Sequence, residues 1–228
     1  MNEELSTNIQ DYLKRIYEIT SGGGKATTNQ LAGVLGISAA SVTNMVQKLS
    51  KTEPPYLTYE KHQGVRLTKA GRLAALKIIR RHRLIEHYLV KALGYTWDEV
   101  HEEAEILEHA LSPLLESRID AALGYPDFDP HGDPIPNADL AIPEVEQIHL
   151  SNLEAGKSAV VIRVPHEDPQ VLRYLGKCGL RPGARIKLLA RTPFDQTMRI
   201  MILESGEEVV IGPSLGDQIA LTTWSPSS

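Results

Sequence analysis

Apolar residues recur at helical spacing through the first half of the chain and alternate in short runs through the last third. Ile9, Tyr12, Leu13, Ile16 and Tyr17 form one face from an N-cap at Thr7, which predicts a first helix stopped by Gly22 to Gly24. Thr28 caps a short helix with Leu31, Val34 and Leu35 inward and Gly36 closing it. Ser38 caps the next, whose apolar positions are Val42, Met45, Val46 and Leu49. Two short helices joined by Gly-Ile-Ser form a helix-turn-helix pattern, although an ordinary helical hairpin reads the same at this point. Leu57–Glu60 and Gly64–Thr68 are strand-like runs around a polar turn, the wing of a winged helix. Thr68 then caps a long helix reaching about Leu93.

Trp97-Asp98 opens a further helix, Ser112-Pro113 breaks it, and Leu114 to Leu123 gives one more. Their apolar surface exceeds what one small domain needs, which predicts a homodimer. From Gly124 to Pro143, five prolines with Asp and Gly read as a linker, and His131 within it as a solvated loop residue, a ligand role being the alternative. The runs SAVVIRV, ARIKLLAR, TMRIMILE, EEVVIG and QIALTTW then predict five short strands of a small β-barrel, with one helical excursion from Asp168. The expected fold class is an α+β multidomain chain. A winged helix-turn-helix DNA-binding domain spans residues 1–74, a helical domain 75–147 with its Pro-rich linker from about 124, and the barrel 148–228.

Charge sharpens this division. Residues 1–96 carry 14 Lys and Arg against 7 Asp and Glu, residues 97–147 carry 1 against 14, and residues 148–228 carry 9 against 8. A basic first third is the footprint of nucleic-acid contact, and an acidic middle suits cations. The single Cys178 excludes an intramolecular disulfide framework and a Cys-rich zinc site. No stretch approaches a membrane span and the N-terminus has no signal-peptide pattern, so the expectation is a cytoplasmic protein without membrane contact.

The chemistry concentrates in HEEAEILEH. On a helix, His101, Glu105, Glu108 and His109 share one stripe, while His82 and Glu86 lie one turn apart on the long helix. Solvated faces would carry the same residues. The flanking Ile106, Leu107, Leu84 and Ile85, however, mark partly buried helices, where carboxylates need partners. Imidazole with carboxylate, and no thiolate, suits a divalent first-row metal. On the second short helix, Ser41, Asn44, Gln47 and Lys48 face outward as groups able to reach bases and phosphates.

Arg81 to Glu86 (R-H-R-L-x-E), Val100 to His109 (V-H-x-E-A-x-x-x-E-H) and Gly132 to Pro136 (G-x-P-I-P) together resemble the diphtheria toxin repressor family over essentially the full length. The resemblance includes its C-terminal SH3-like (FeoA-like) domain. It implies a homodimeric, metal-activated repressor on a palindromic double-stranded DNA operator. The implied primary metal site is Asp11, Glu105, Glu108 and His109, and the ancillary site is His82, Glu86 and His101, completed in some members by residues matching Glu167 and Gln170. DNA contacts fall to Ser38, Ser41, Asn44, Gln47 and Lys48, with Lys51, Arg66 and the wing residue His62 on phosphate. Iron-responsive members have Met and Cys where this chain has Asp11 and Glu105, as manganese regulators do. These carboxylates harden the site toward Mn²⁺, with Fe²⁺ the alternative because it outranks Mn²⁺ in intrinsic affinity. Lys14 replaces a second carboxylate found in manganese regulators, so separate sites are expected rather than a two-metal cluster. Two rivals are a metal-independent regulator with a structural stripe and a di-iron carboxylate enzyme. The latter uses paired Glu-x-x-His motifs, whereas here Glu108 adjoins His109.

Overall fold

A computed structural model describes residues 5–60 and 63–224. The chain divides into two compact units, one of Met1–His82, Glu108–Ala110 and Pro136–Ala141, the other of Arg83–Leu107, Leu111–Ile135 and Ile142–Ser228.

In the first unit, α1 (Thr7–Thr20) buries Tyr12, Leu13 and Ile16 against Leu31 of α2 (Thr28–Leu35) and Val42, Val46 and Leu49 of α3 (Ala39–Leu49). Thr27, rather than Thr28, caps α2, in a reciprocal box with Gln30 that satisfies two end amides. Gly36 ends α2 at φ 65°, a left-handed turn a glycine adopts without strain, and the Ser38 side chain accepts from the Ser41 amide to start α3. The wing is β1 (Leu57–Glu60) paired antiparallel with β2 (Gly64–Leu67). Ala26 bridges to Val65 at its edge. The long helix α4 (Lys69–Leu93) starts where the Thr68 hydroxyl accepts from the Gly71 amide at 3.2 Å.

In the second unit, Leu84, Ile85 and Leu89 of α4 pack with Val100 and Ala104 of α5 (Val100–Leu107), Ile119 of α6 (Pro113–Ala122) and Ile135. The stripe expected on one helix is interrupted, because α5 ends at Leu107 and Glu108 to Ala110 form a turn. Ser112 caps α6 with Pro113 in its first turn, and a residue before proline is pushed out of helical geometry.

The stretch expected as a solvated linker is also corrected. Residues 124–143 contain no helix or named strand, yet Asp129, His131, Asp133 and Ile135 are buried. Backbone bonds tie Asp129 to Asp133 and Ile135 to Asp127. Proline, glycine and aspartate build tight turns as readily as open linkers, and composition does not separate the two.

The C-terminal part holds β3 (Ile148–His149), β4 (Ser158–Arg163), α7 (Pro169–Lys177), β5 (Arg185–Arg191), β6 (Met198–Ile202), β7 (Glu208–Ile211), the short α8 (Pro213–Gly216) and β8 (Ala220–Thr223). Its strands form one antiparallel sheet in the order β3-β8-β4-β5-β6-β7. Val161, Ile186, Leu188, Ile200 and Leu221 meet Leu172 and Leu175 of α7 in its core. The expected strands and helical excursion are present, but among the described residues β3 and β7 do not pair, so the barrel is not closed. β3 has only two residues, and the Tyr174 hydroxyl of α7 donates to the Val210 carbonyl on β7 at 3.2 Å.

Candidate metal centres

Asp11 and Lys14, three residues apart on α1, share a face with the chain's Glu108-His109 turn. His109 Nδ1 lies 2.7 Å from the Gln10 amide oxygen, an acceptor, so the ring's proton belongs on Nδ1. In the neutral ring the Nε2 lone pair then faces Asp11 Oδ1 at 3.0 Å and Glu108 Oε1 at 3.6 Å. Glu108 is fully buried and its Oε1 has no hydrogen-bond partner among the described residues. Three ligand atoms thus converge within 4.8 Å of one another. This donor set fits a divalent metal ion.

The other oxygen of Glu108 is taken. Lys14 Nζ, 3% exposed, donates to Oε2 at 2.7 Å and lies 3.0 Å from His82 Nδ1, which also contacts Oε2. The protein has built an ammonium into the position beside this centre.

A second group lies in the other unit. Glu86 of α4, 1% exposed, presents Oε1 to His101 Nδ1 at 3.3 Å and Oε2 to His131 Nδ1 at 3.7 Å. His131 Nε2 is 2.7 Å from the Trp97 carbonyl, which can only accept, so Nε2 carries a proton and leaves Nδ1, buried and without a hydrogen-bond partner among the described residues, on the Glu86 side. A backbone carbonyl fixing one ring nitrogen while the other faces a carboxylate is how metal-binding histidines are oriented. Asp129 completes a wholly buried group whose ligand atoms lie within 4.8 Å of one another. Its Oδ1 accepts from the amides of His131 and Asp133 at 2.8 and 2.9 Å.

Electrostatics mark the same residues. Burial, with Asp133 and Glu86 nearby, pushes the Asp129 carboxyl up to about 7. Burial opposes charge on His131, but the Glu86 carboxylate outweighs it and the imidazole rises to about 9.

Among the other expected ligands, Glu105 lies on α5 with its carboxylate 3.6 Å from His101 Nε2. Glu167 and Gln170 are exposed. Asp129 is the residue that the sequence reading passed over, and His131, read there as a solvated loop residue with a ligand role as the alternative, is buried; the alternation Asp129-x-His131-x-Asp133 was their one trace.

On the helix-turn-helix, Ser38, Ser41, Asn44, Gln47, Lys48 and Lys51 are exposed. Arg66 is exposed on β2, its Nε donating to the Gly24 carbonyl at 3.1 Å. His62 lies outside the described residues.

Comparison with known proteins agrees with this layout. Residues 4–65 match the iron-dependent repressor N-terminal DNA-binding domain, 68–137 its metal-binding and dimerisation domain, and 148–222 the FeoA domain. The iron-dependent repressor IdeR of Mycobacterium tuberculosis is 32% identical over 198 residues, 82% of this chain and 85% of that one. The chain belongs to the iron-dependent repressor family. Within that family, the regulator MntR of Geobacillus kaustophilus is 37% identical over 118 residues, 52% of this chain and 82% of MntR. A solved manganese-dependent transcriptional repressor in complex with manganese has a TM-score of 0.87 and 41% identity, covering 95% of this chain and 100% of that one. The family consists of metal-dependent DNA-binding repressors, so the enzyme reading falls. No helix among the described residues is long and apolar enough to cross a membrane.

Proposed function

We propose that this chain is a manganese-responsive repressor that binds a palindromic operator as a homodimer and holds two separate metal centres. The observation that carries the reading is the convergence of buried Glu108 Oε1, which has no hydrogen-bond partner among the described residues, with Asp11 and His109 Nε2. A divalent ion bound there would supply the positive charge that lets two carboxylates and an imidazole share one buried place. Asp11 would then hold α1, and with it the DNA-binding helices, to the Glu108-His109 turn. Metal favours DNA binding only to the extent that it binds this arrangement better than others. The family resemblance adds Glu105 to the first centre. Lys14, by occupying Glu108 Oε2, limits that centre to one ion. The second centre is Glu86 with His101, Asp129 and His131. Oxygen and imidazole donors without sulfur favour Mn²⁺ over softer metals. Ile106, Leu114 and Leu115, all more than half exposed in the single chain, support a covering second copy. Ser38, Ser41, Asn44, Gln47 and Lys48 are the proposed operator contacts, with Lys51, Arg66 and His62 on phosphate.

The test is fluorescence anisotropy on a palindromic duplex selected by the Mn²⁺-loaded protein from random sequence, at fixed salt because phosphate contacts are salt-dependent. Anaerobic Mn²⁺ should switch binding on, with Fe²⁺ much poorer. An equal response to Fe²⁺ would remove the manganese assignment. Tight binding that a chelator does not weaken would remove the metal switch.

A further inference from the structure

The turn between α4 and α5 carries a tryptophan away from its own helices. The Thr96 amide and hydroxyl both donate to Glu99 Oε2, at 3.1 and 2.6 Å, and the Glu99 amide donates back to the Thr96 carbonyl at 3.0 Å. Closed in this way, the turn places Trp97 in the core of the C-terminal sheet, where it groups with Leu172, Leu175 and Leu180 and is 7% exposed. The core between the helices, built on Leu84, Ile85, Leu89, Val100 and Ala104, does not include it. Both cores belong to the second compact unit. Relative motion of neighbouring domains is the default unless a hydrophobic contact holds them, and a buried indole is the side chain with the most area to give.

A matching receptor is built on α7. Glycine within a helix is unfavourable because of its backbone freedom, yet Gly176 occupies the last turn of α7. A Cβ there would stand 3.4 Å from Trp97 Nε1 and 3.0 Å from Arg181 Nη2, so the glycine leaves room for the indole and the guanidinium together. Arg181 lies over the indole, its Cζ 4.9 Å from the ring centroid, as a cation–π contact. Asp98 adds an ion pair with Arg173 of α7 at 3.1 Å, but Arg173 is half exposed and such a pair contributes little. The contact is carried by Trp97, Gly176 and Arg181.

We propose that the Trp97 turn is a built-in latch: it seats the C-terminal sheet on the helical domain through aromatic and apolar contacts that are in place before any metal binds. Trp97, Gly176 and Arg181 are not among the proposed metal ligands, and the latch does not depend on the two-centre reading.

The test uses the full chain with Trp224→Phe, which makes Trp97 the sole tryptophan. The position of its emission maximum and its quenching by acrylamide are read in chelator, and again across a Mn²⁺ titration because the His131 ring stacks on the same indole with centroids 6.0 Å apart. In chelator the emission should be blue-shifted and the quenching severalfold weaker than in urea, and Mn²⁺ should change neither. Gly176→Leu puts a side chain where the indole sits; it should shift the emission to the red and raise the quenching severalfold, while Gly176→Ala should do much less. Arg181→Ala, at an exposed position where loss of the side chain leaves the fold intact, should raise the quenching part of the way. Far-UV circular dichroism and a cooperative melt verify that each variant is folded. A red-shifted, freely quenched Trp97 in chelator that Mn²⁺ returns to the blue would overturn the latch by making the seating metal-driven. A Trp97 that stays fully shielded in folded Gly176→Leu, or in Arg181→Ala should the former not fold, would overturn it by taking α7 out of the contact.

Discussion

The two centres solve the burial of carboxylates in opposite ways. At the first, the protein supplies its own cation. Lys14 holds one oxygen of Glu108, and the other oxygen, with Asp11 and His109, is the proposed place of an ion. At the proposed second, Asp133 is paired with Arg83, Arg163 and His166, while burial pushes the Asp129 carboxyl up to about 7. In this reading the first centre leans on a fixed protein cation and the second on an exchangeable ion. Fixed ammonium and exchangeable ion are two answers to one desolvation cost.

The largest effect expected from breaking this contrast comes from Lys14→Met, which leaves Glu108 buried without its ammonium. Urea unfolding in chelator should show a loss of about 3 kcal/mol, the scale for removing one partner of a buried pair, and the loss should shrink when Mn²⁺ is added. An unchanged midpoint in chelator would mean that Lys14 is not the counter-ion. Next, Asp11→Asn should weaken Mn²⁺-dependent operator binding on the order of 100-fold and leave the chelator baseline alone, since coupling between two sites reaches that size. An equal loss with and without metal would assign Asp11 to folding instead. His131→Ala should cost one Mn²⁺ per chain by elemental analysis after dialysis and about tenfold in operator affinity, a smaller penalty because the first centre survives. Retention of full metal content would remove His131 from the ligands.

A control away from both centres sets the floor. Arg173 Nη1 lies 3.1 Å from Asp98, and although burial opposes it, hydrogen bonds from Thr96 and Arg173 lower the Asp98 carboxyl below its ordinary value. Arg173 is half exposed, so Arg173→Ala should cost less than about 1 kcal/mol at neutral pH. A carboxyl lowered in the folded state stabilises above its unfolded value and loses that contribution as pH falls through the folded one. The gap between wild type and Arg173→Ala should therefore narrow in acid, and a gap that widens there would contradict the pairing.

The residues proposed for the first centre could be picked out because they lie on or just beyond helices, whose period is written in the apolar positions of α1 and α5. What the period could not give was the end of α5 at Leu107, which places Glu108 and His109 in a turn. The second centre was half legible for the same reason. Glu86 and His101 come from helices, whereas Asp129 and His131 come from a Pro/Gly/Asp stretch whose composition is shared by open linkers and packed turns. Strand runs announced the C-terminal sheet but not which edges pair, because closure depends on tertiary fit.

The proposed arrangement is two separate centres, each holding one ion. Its most direct test is a count of Mn²⁺ per chain in the saturated full-length protein, together with its low-temperature EPR spectrum. Two Mn²⁺ per chain with spectra of isolated ions are predicted. One Mn²⁺ per chain, or the signal of an exchange-coupled pair, would contradict it.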